Sequence, residues 1–307
     1  MGNCCLHMIT MRSEAMYKPR TWETADIEMK ALADDLGIKE YTKLEDRAGP
    51  NGFPYKIHGS FCKVILKSRA NNDFKIMMNI RQLKAAIGDT QPFFLLPDKV
   101  VERPGSVAFI YPLLDRDMVD FIHQQVWSEN FRNNIFNKLL AGIEFLHEKG
   151  YVHRDIKLEN VCLRGSDPII VDIDYASPSS QYHFRGTKTY MPRQVNVRTL
   201  VTCRKDITVS EKTKYFDNYA LGKSMAFLLA IEHDRHKETG LIREIWSTWL
   251  KTEQTSFRAI DWKEEDLIPY TKWWKAVIML CAWNEQAVYD TKMKFYSITD
   301  VKKELNI

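Results

Sequence analysis

Tyr151-Val-His-Arg-Asp-Ile-Lys-Leu-Glu-Asn-Val-Cys-Leu163 is the stretch on which the reading of the whole chain turns. Gly150 closes an amphipathic run ahead of it, and the apolar residues at its end suit a short strand. His153, Arg154, Asp155, Lys157 and Asn160 bring a carboxylate, an ammonium and an amide within a few positions of each other. Phosphoryl transfer asks for that set: a carboxylate to orient and deprotonate a hydroxyl, a cation for the developing charge, and an oxygen ligand for magnesium. A bare His-Arg-Asp could sit on any charged loop. The whole string from His153 to Asn160 between strand-like flanks is far more specific.

Outward from the loop, Pro168-Ile-Ile-Val-Asp172 reads as a buried strand ending in a carboxylate, 12 positions beyond Asn160. Gly186-Thr-Lys-Thr-Tyr-Met-Pro-Arg193 and Phe216-Asp217-Asn-Tyr-Ala-Leu-Gly222 follow. With these stretches the chain resembles the protein kinase family, from about residue 41 to 305 and most strongly from Phe131 to Gly222. Residues 151–163 are similar to the catalytic loop, in the form seen in serine/threonine-type members. Asp172-Ile-Asp174 stands where the family has Asp-Phe-Gly. The stretch 186–193 resembles the end of an activation segment, with Arg193 in place of a glutamate. That glutamate's usual arginine partner is missing as well, since Phe295 stands near its place.

The resemblance implies an α+β, bilobal protein-kinase-like fold with a small β-rich N-lobe and a larger α-helical C-lobe. It implies an N-terminal extension over 1–40, a degenerate N-lobe over 41–111 and a C-lobe with the catalytic loop over 112–307. It further implies ATP and magnesium as cofactors, Asp155 and Lys157 as catalytic residues, and Asn160 and Asp172 as metal and nucleotide ligands. His153, Arg154 and Asp217 become structural supports, with Asp217 bonding the catalytic-loop backbone from below. Ile173 is expected as an apolar plug. Asp174 is expected to add negative charge beside the phosphates.

The N-lobe departs from the family. Gly59-Ser-Phe-Cys-Lys-Val64 looks like the second half of a glycine-rich phosphate loop, with Cys62 in place of the last glycine; its plainer reading is a hairpin turn. Two registers compete. If Gly59 and Val64 belong to the nucleotide site, Phe74–Ile80 is the third strand and Asn79 stands where the nucleotide-gripping lysine should be. If Gly49-Pro-Asn-Gly-Phe-Pro54 is the loop instead, the third strand is Val64–Lys67 and Lys67 is that lysine. The motif match favours the first, small-lobe length the second. In either, Glu102 is the only glutamate between Lys67 and Tyr111, so the lysine–glutamate ion pair of active members cannot form in its usual way.

Other elements follow from periodicity. Trp22, Ala25, Met29, Leu32 and Leu36 predict a helix ended by Gly37 and packed on the N-lobe. Ser106–Leu114 predicts a strand entering a hinge. Phe131–His147 predicts a core helix. Arg198–Lys214 reads as a basic surface loop. Late helices carry Leu241, Ile245 and Trp249, then Trp273, Trp274, Val277, Ile278 and Cys281, as core stripes.

A chain of 307 residues with 45% hydrophobic content can bury a full core. Its 44 basic and 40 acidic residues give a net charge of +4, too balanced to point to nucleic acid. The six cysteines lack Cys-x-x-Cys spacing, as expected of reduced thiols in an intracellular, cytoplasmic protein. Neither a signal peptide nor a membrane span is recognisable. Met1-Gly-Asn-Cys-Cys5 makes Gly2, Cys4 and Cys5 candidates for acylation and peripheral membrane attachment, although Leu6 stands where serine or threonine is usual.

The intact set Asp155, Lys157, Asn160 and Asp172 favours a divergent serine/threonine protein kinase acting on a protein substrate. The missing glutamate, the altered glycine loop and Asp174 favour the alternative, a pseudokinase serving as a binding or regulatory module. A kinase acting on a small molecule or lipid is a third class.

Overall fold

The computed structural model describes residues 21–45, 52–67, 72–124, 127–181, 186–187, 190–191, 207–237, 271–281 and 296–307. The chain divides into two compact units, the first comprising Met1–Ala85 with Leu95–Leu113 and the second Ala86–Phe94 with Leu114–Ile307. The first is built on a sheet and the second is mainly helical, giving a mixed α+β organisation.

The first unit opens with helix α1, Trp22–Leu36, capped by the Thr21 side chain on the N–H of Thr24 and stopped by Gly37 in the left-handed conformation. Its predicted stripe is buried: Ala25, Met29 and Leu32 pack with Tyr55, Ile57, Cys62, Val64, Leu66 and Ala108. Polar contacts add to this docking, with the Tyr55 hydroxyl donating to Asp26 and Ser106 donating to Glu28, both at 2.9 Å. Burial pushes the Cys62 thiol up to about 12, so it is a packing group here and not a nucleophile.

The sheet beneath α1 is antiparallel and built from β1 (Tyr41–Lys43), β2 (Phe53–Ile57), β3 (Ser60–Leu66), β4 (Lys99–Glu102) and β5 (Ser106–Pro112), in the order β1-β2-β3-β5-β4. Two expectations fail here. Phe74–Ile80 is not a strand but part of helix α2, Asn72–Ile87. Ile76, Ile80, Leu83 and Ile87 recur at helical spacing and are buried together with Met77, and that wider period outweighs the short apolar run that suggested a strand. Gly59 is not in a phosphate loop either. The pairing of Ile57 with Ser60 leaves His58 and Gly59 as a two-residue hairpin turn, and Gly59 takes the positive φ of 65° that the turn needs. Ser60–Leu66 is therefore the third strand, as in the second register. The connection between the first two strands then contains residues 49–52 of the Gly49–Pro54 stretch, of which 49–51 lie outside the described residues, and Phe53 and Pro54 open the second strand. Val64 lies in the cluster against α1.

In the second unit, α3 (Met118–Gln124) precedes α4 (Glu129–Glu148), whose residues Ile135, Leu139, Ile143 and Leu146 are buried as the periodicity predicts. β6 (Arg116–Asp117), β8 (Val161–Arg164) and β9 (Asp167–Ile170) form one small sheet. β7 (Tyr151–Val152) and β10 (Ser177–Pro178) form another. The long α5 covers Val209–Lys237, followed by α6 (Thr271–Leu280) and α7 (Ile298–Leu305).

α5 begins seven residues before Phe216, because Thr208 and Glu211 cap it reciprocally: the Glu211 carboxylate accepts the Thr208 N–H and the Thr208 hydroxyl accepts the Glu211 N–H. Lys212 and Lys214 thus sit on a helix and not in a basic loop. On α6, Trp273, Trp274 and Val277 are buried and Cys281 follows them inward, but Ile278 is 56% exposed and is no core residue. Gly222 lets α5 approach α6, since a Cβ there would collide with Cys281. Among the described residues no helix is long and apolar enough to cross a membrane. Gly2, Cys4, Cys5, Arg193, Arg198, Arg204, Lys205, Leu241, Ile245, Trp249 and Phe295 lie outside the described residues.

Candidate active site

The loop after β7 is shaped by a buried carboxylate. Asp217 of α5, 1% exposed, accepts the backbone N–H of His153 at 2.6 Å and of Arg154 at 2.8 Å, and meets the His147 ring at 3.1 Å. Burial alone would raise the Asp217 carboxyl, but the His147 ring and the His153 backbone outweigh it and hold it below the usual carboxylate range. Those bonds fix Arg154 at φ 74°, a conformation few side-chain-bearing residues adopt.

His153 is fully buried and stacks on Phe94. Its Nδ1 accepts the N–H of Asp155 at 3.2 Å, which leaves Nε2 to donate to the carbonyl of Val171 at 3.1 Å. One ring therefore ties the loop to the chain just before Asp172.

Asp155, 5% exposed, is held from three sides. Its Oδ1 accepts both the N–H of Thr187 at 2.8 Å and the Thr187 hydroxyl at 2.7 Å. Its Oδ2 accepts the Asn160 amide at 3.1 Å and faces Lys157 Nζ at 3.1 Å. Lys157 also donates to the Thr187 hydroxyl at 3.0 Å. Asp155, Lys157, Asn160 and Thr187 thus form one hydrogen-bonded cluster. Spacing along the chain gives no sign of Thr187, which lies 32 residues from Asp155, although it falls in the stretch 186–193 that resembles the end of an activation segment. Gly186 is what admits it: at φ 127° it lies against the Arg154 carbonyl, where a Cβ would collide.

Asn160 uses its amide N–H groups on the carbonyl and carboxylate of Asp155, which leaves its oxygen as the acceptor of that side chain. The N–H of Val171 donates to the Asn160 backbone carbonyl at 2.9 Å, so Asp172 emerges beside Asn160 at the end of the β8–β9 hairpin. Asp172 adopts φ 59°, and Ile173 after it is buried as expected. Asp174 is 1% exposed inside the short 3-10 turn Ile173–Tyr175.

Among the described residues no group of three or more His, Cys, Asp or Glu side chains gathers as for a metal. The amide oxygen of Asn160 and the carboxylate of Asp172 are hard oxygen donors of the kind that fit magnesium, which keeps several waters and takes one or two protein carboxylates beside substrate phosphates.

In the first unit, Lys67 follows β3 and pairs with Glu102 of β4 at 3.1 Å, while α2 contains no glutamate. Asn79 lies on α2. Lys63 of β3 alternates with Cys62 and Val64, which pack against α1, and so belongs to the other face of the sheet.

A family model described as protein kinase domain matches residues 62–266. The chain is 21% identical over 216 residues to the human NUAK family SNF1-like kinase 2, covering 69% of this chain and 33% of that protein. It is 33% identical over 100 residues to the serine/threonine-protein kinase pim-2 of Danio rerio, covering 30% of this chain and 32% of that one. A third relative is the SNF1-related protein kinase catalytic subunit alpha KIN12 of Arabidopsis thaliana, 25% identical over 154 residues, which are 44% of this chain and 31% of that protein. The matched part spans about a third of each relative's length.

Proposed function

Since the chain belongs to the protein kinase family, we propose that it transfers the γ-phosphoryl group of ATP to a serine or threonine hydroxyl of a protein. The observation that carries this reading is the cluster on Asp155: a buried carboxylate with a lysine, an amide and a hydroxyl fixed around it. Packing alone has no use for that arrangement.

In this reading Asp155 receives the substrate hydroxyl and takes its proton. The contact that yields is Lys157, whose ammonium then offsets charge on the transferred group while Thr187 and Asn160 keep the carboxylate aimed. Asn160 and Asp172 hold magnesium, which neutralises phosphate charge when bound. Lys63, on the sheet face away from α1, is the cation for the nucleotide phosphates, in place of Asn79 or of Lys67, which Glu102 engages. Asp217 and His153 act by positioning the loop.

The test is radiolabelled phosphate transfer to a panel of protein substrates, with thermal unfolding of each variant. Asp155→Asn keeps the shape and removes the charge, so transfer should fall by about a hundredfold or more with unfolding little changed. Asp172→Asn should also weaken magnesium-dependent ATP binding, read by calorimetry. Equal transfer by wild type and Asp155→Asn rejects the reading. One observation favours the second reading, a binding or regulatory pseudokinase: α2 offers no glutamate for the usual ion pair. That reading takes over if purified wild type transfers no phosphate.

A further inference from the structure

The segment that carries Thr187 to Asp155 is attached to the rest of its unit at several described points, all made by ordinary side chains and backbone. Upstream, β10 pairs with β7, Ser177 opposite Val152 and Pro178 opposite Tyr151, and the Ser179 N–H donates to the Gly150 carbonyl at 2.8 Å. Ser179 is 4% exposed, and its hydroxyl meets that of Ser210, in the first turn of α5, at 2.7 Å. One turn further along α5, Thr213 shares its hydroxyl proton between the carbonyls of Ser179 at 2.6 Å and Ser210 at 2.9 Å. The Arg154 guanidinium, nine-tenths buried, donates to the Gln181 carbonyl. Downstream, Gly186 lies on the Arg154 backbone and Thr187 on Asp155, and the Tyr190 N–H donates to the Thr187 carbonyl at 2.9 Å.

A loop that waits for phosphorylation is ordered when a new phosphate recruits an arginine. Here the buried arginine of the catalytic loop is already bonded into the segment through a backbone carbonyl. The hydroxyls of Ser179 and Ser210 are spent on each other, and a phosphate on Ser179 would find no room.

Building on the reading of Asp155 above, we propose that Ser179, Ser210 and Thr213 form a latch that, with the Arg154–Gln181 bond, holds residues 177–181 in place without phosphorylation. Thr213 is then a positioning residue: it touches no reacting atom and acts on Asp155 through the segment it anchors.

The experiment uses the full chain co-expressed with a phosphatase and shown by mass spectrometry to carry no phosphate. Amide hydrogen exchange is read at Ser179 and Thr187, whose N–H groups are bonded to Gly150 and Asp155. Both amides should be protected in the unmodified protein, and exposure to ATP, magnesium and an added kinase should change their rates by no more than about twofold. Thr213→Val should speed exchange at Ser179 by about tenfold or more, and Thr213→Ser should restore protection. In phosphate transfer, Thr213→Val should lower kcat and leave the KM for ATP unchanged. Fast exchange in the unmodified protein that slows on phosphorylation overturns the proposal, as does unchanged exchange in Thr213→Val. If the exchange pattern holds while no form of the protein transfers phosphate, the latch stands and the kinase reading alone is lost.

Discussion

Asp217 shows how one buried side chain shapes the loop that carries the chemistry. Its two oxygens accept the N–H groups of His153 and Arg154, and these bonds hold the left-handed turn at Arg154. Asp217→Ala should cost about 3 kcal/mol, measured by urea unfolding, since it leaves buried donors unsatisfied. The pH dependence has a definite sign. A carboxyl held low in the folded state contributes stability that is complete above its unfolded value of about 4 and fades as pH falls through the lower folded value. Wild type should therefore lose this contribution progressively below about pH 4, whereas Asp217→Ala should lack that part of the acid slope.

Among the elements, α5 joins the two kinds of support the site needs. Its first two turns carry Ser210 and Thr213 against Ser179, and one turn after Thr213 it presents Asp217 to the catalytic loop. The cap at Thr208 decides where that helix begins, and hence whether residues 209–215 are helix or loop. Thr208→Ala should cost about 1 kcal/mol in thermal or urea unfolding and should raise hydrogen exchange in the first turn of α5 before any change near Asp217.

At the scale of the molecule, α1 is part of the first unit's core and not an appendage to it. Met29 and Leu32 are at most 1% exposed, and the face of the sheet they cover would otherwise present Tyr55, Val64 and Leu66 to water. Leu32→Ala should therefore cost about 3 kcal/mol by urea unfolding, the scale of a buried leucine deletion. A loss under about 0.5 kcal/mol, as expected of a surface site, would mean that the helix is not part of the core.

The loop from His153 to Asn160 was readable from sequence because its chemistry is local: side chains within eight positions stay close however the rest folds. The stripes of α1 and α4 were readable for the same reason, since a helix's buried face is written at fixed spacing. Asp217 was placed by its flanking motif. Three things depended on tertiary structure. Ile76-Met-Met78 fits a strand or a helix, and only packing over the whole length of α2 separates them. Gly59 in Gly-Ser-Phe suits a phosphate loop or a hairpin, and the pairing of Ile57 with Ser60 decides for the hairpin, moving the third strand and with it the candidate lysine. Thr187 reaches Asp155 across 32 residues, a tertiary contact that no spacing along the chain could encode.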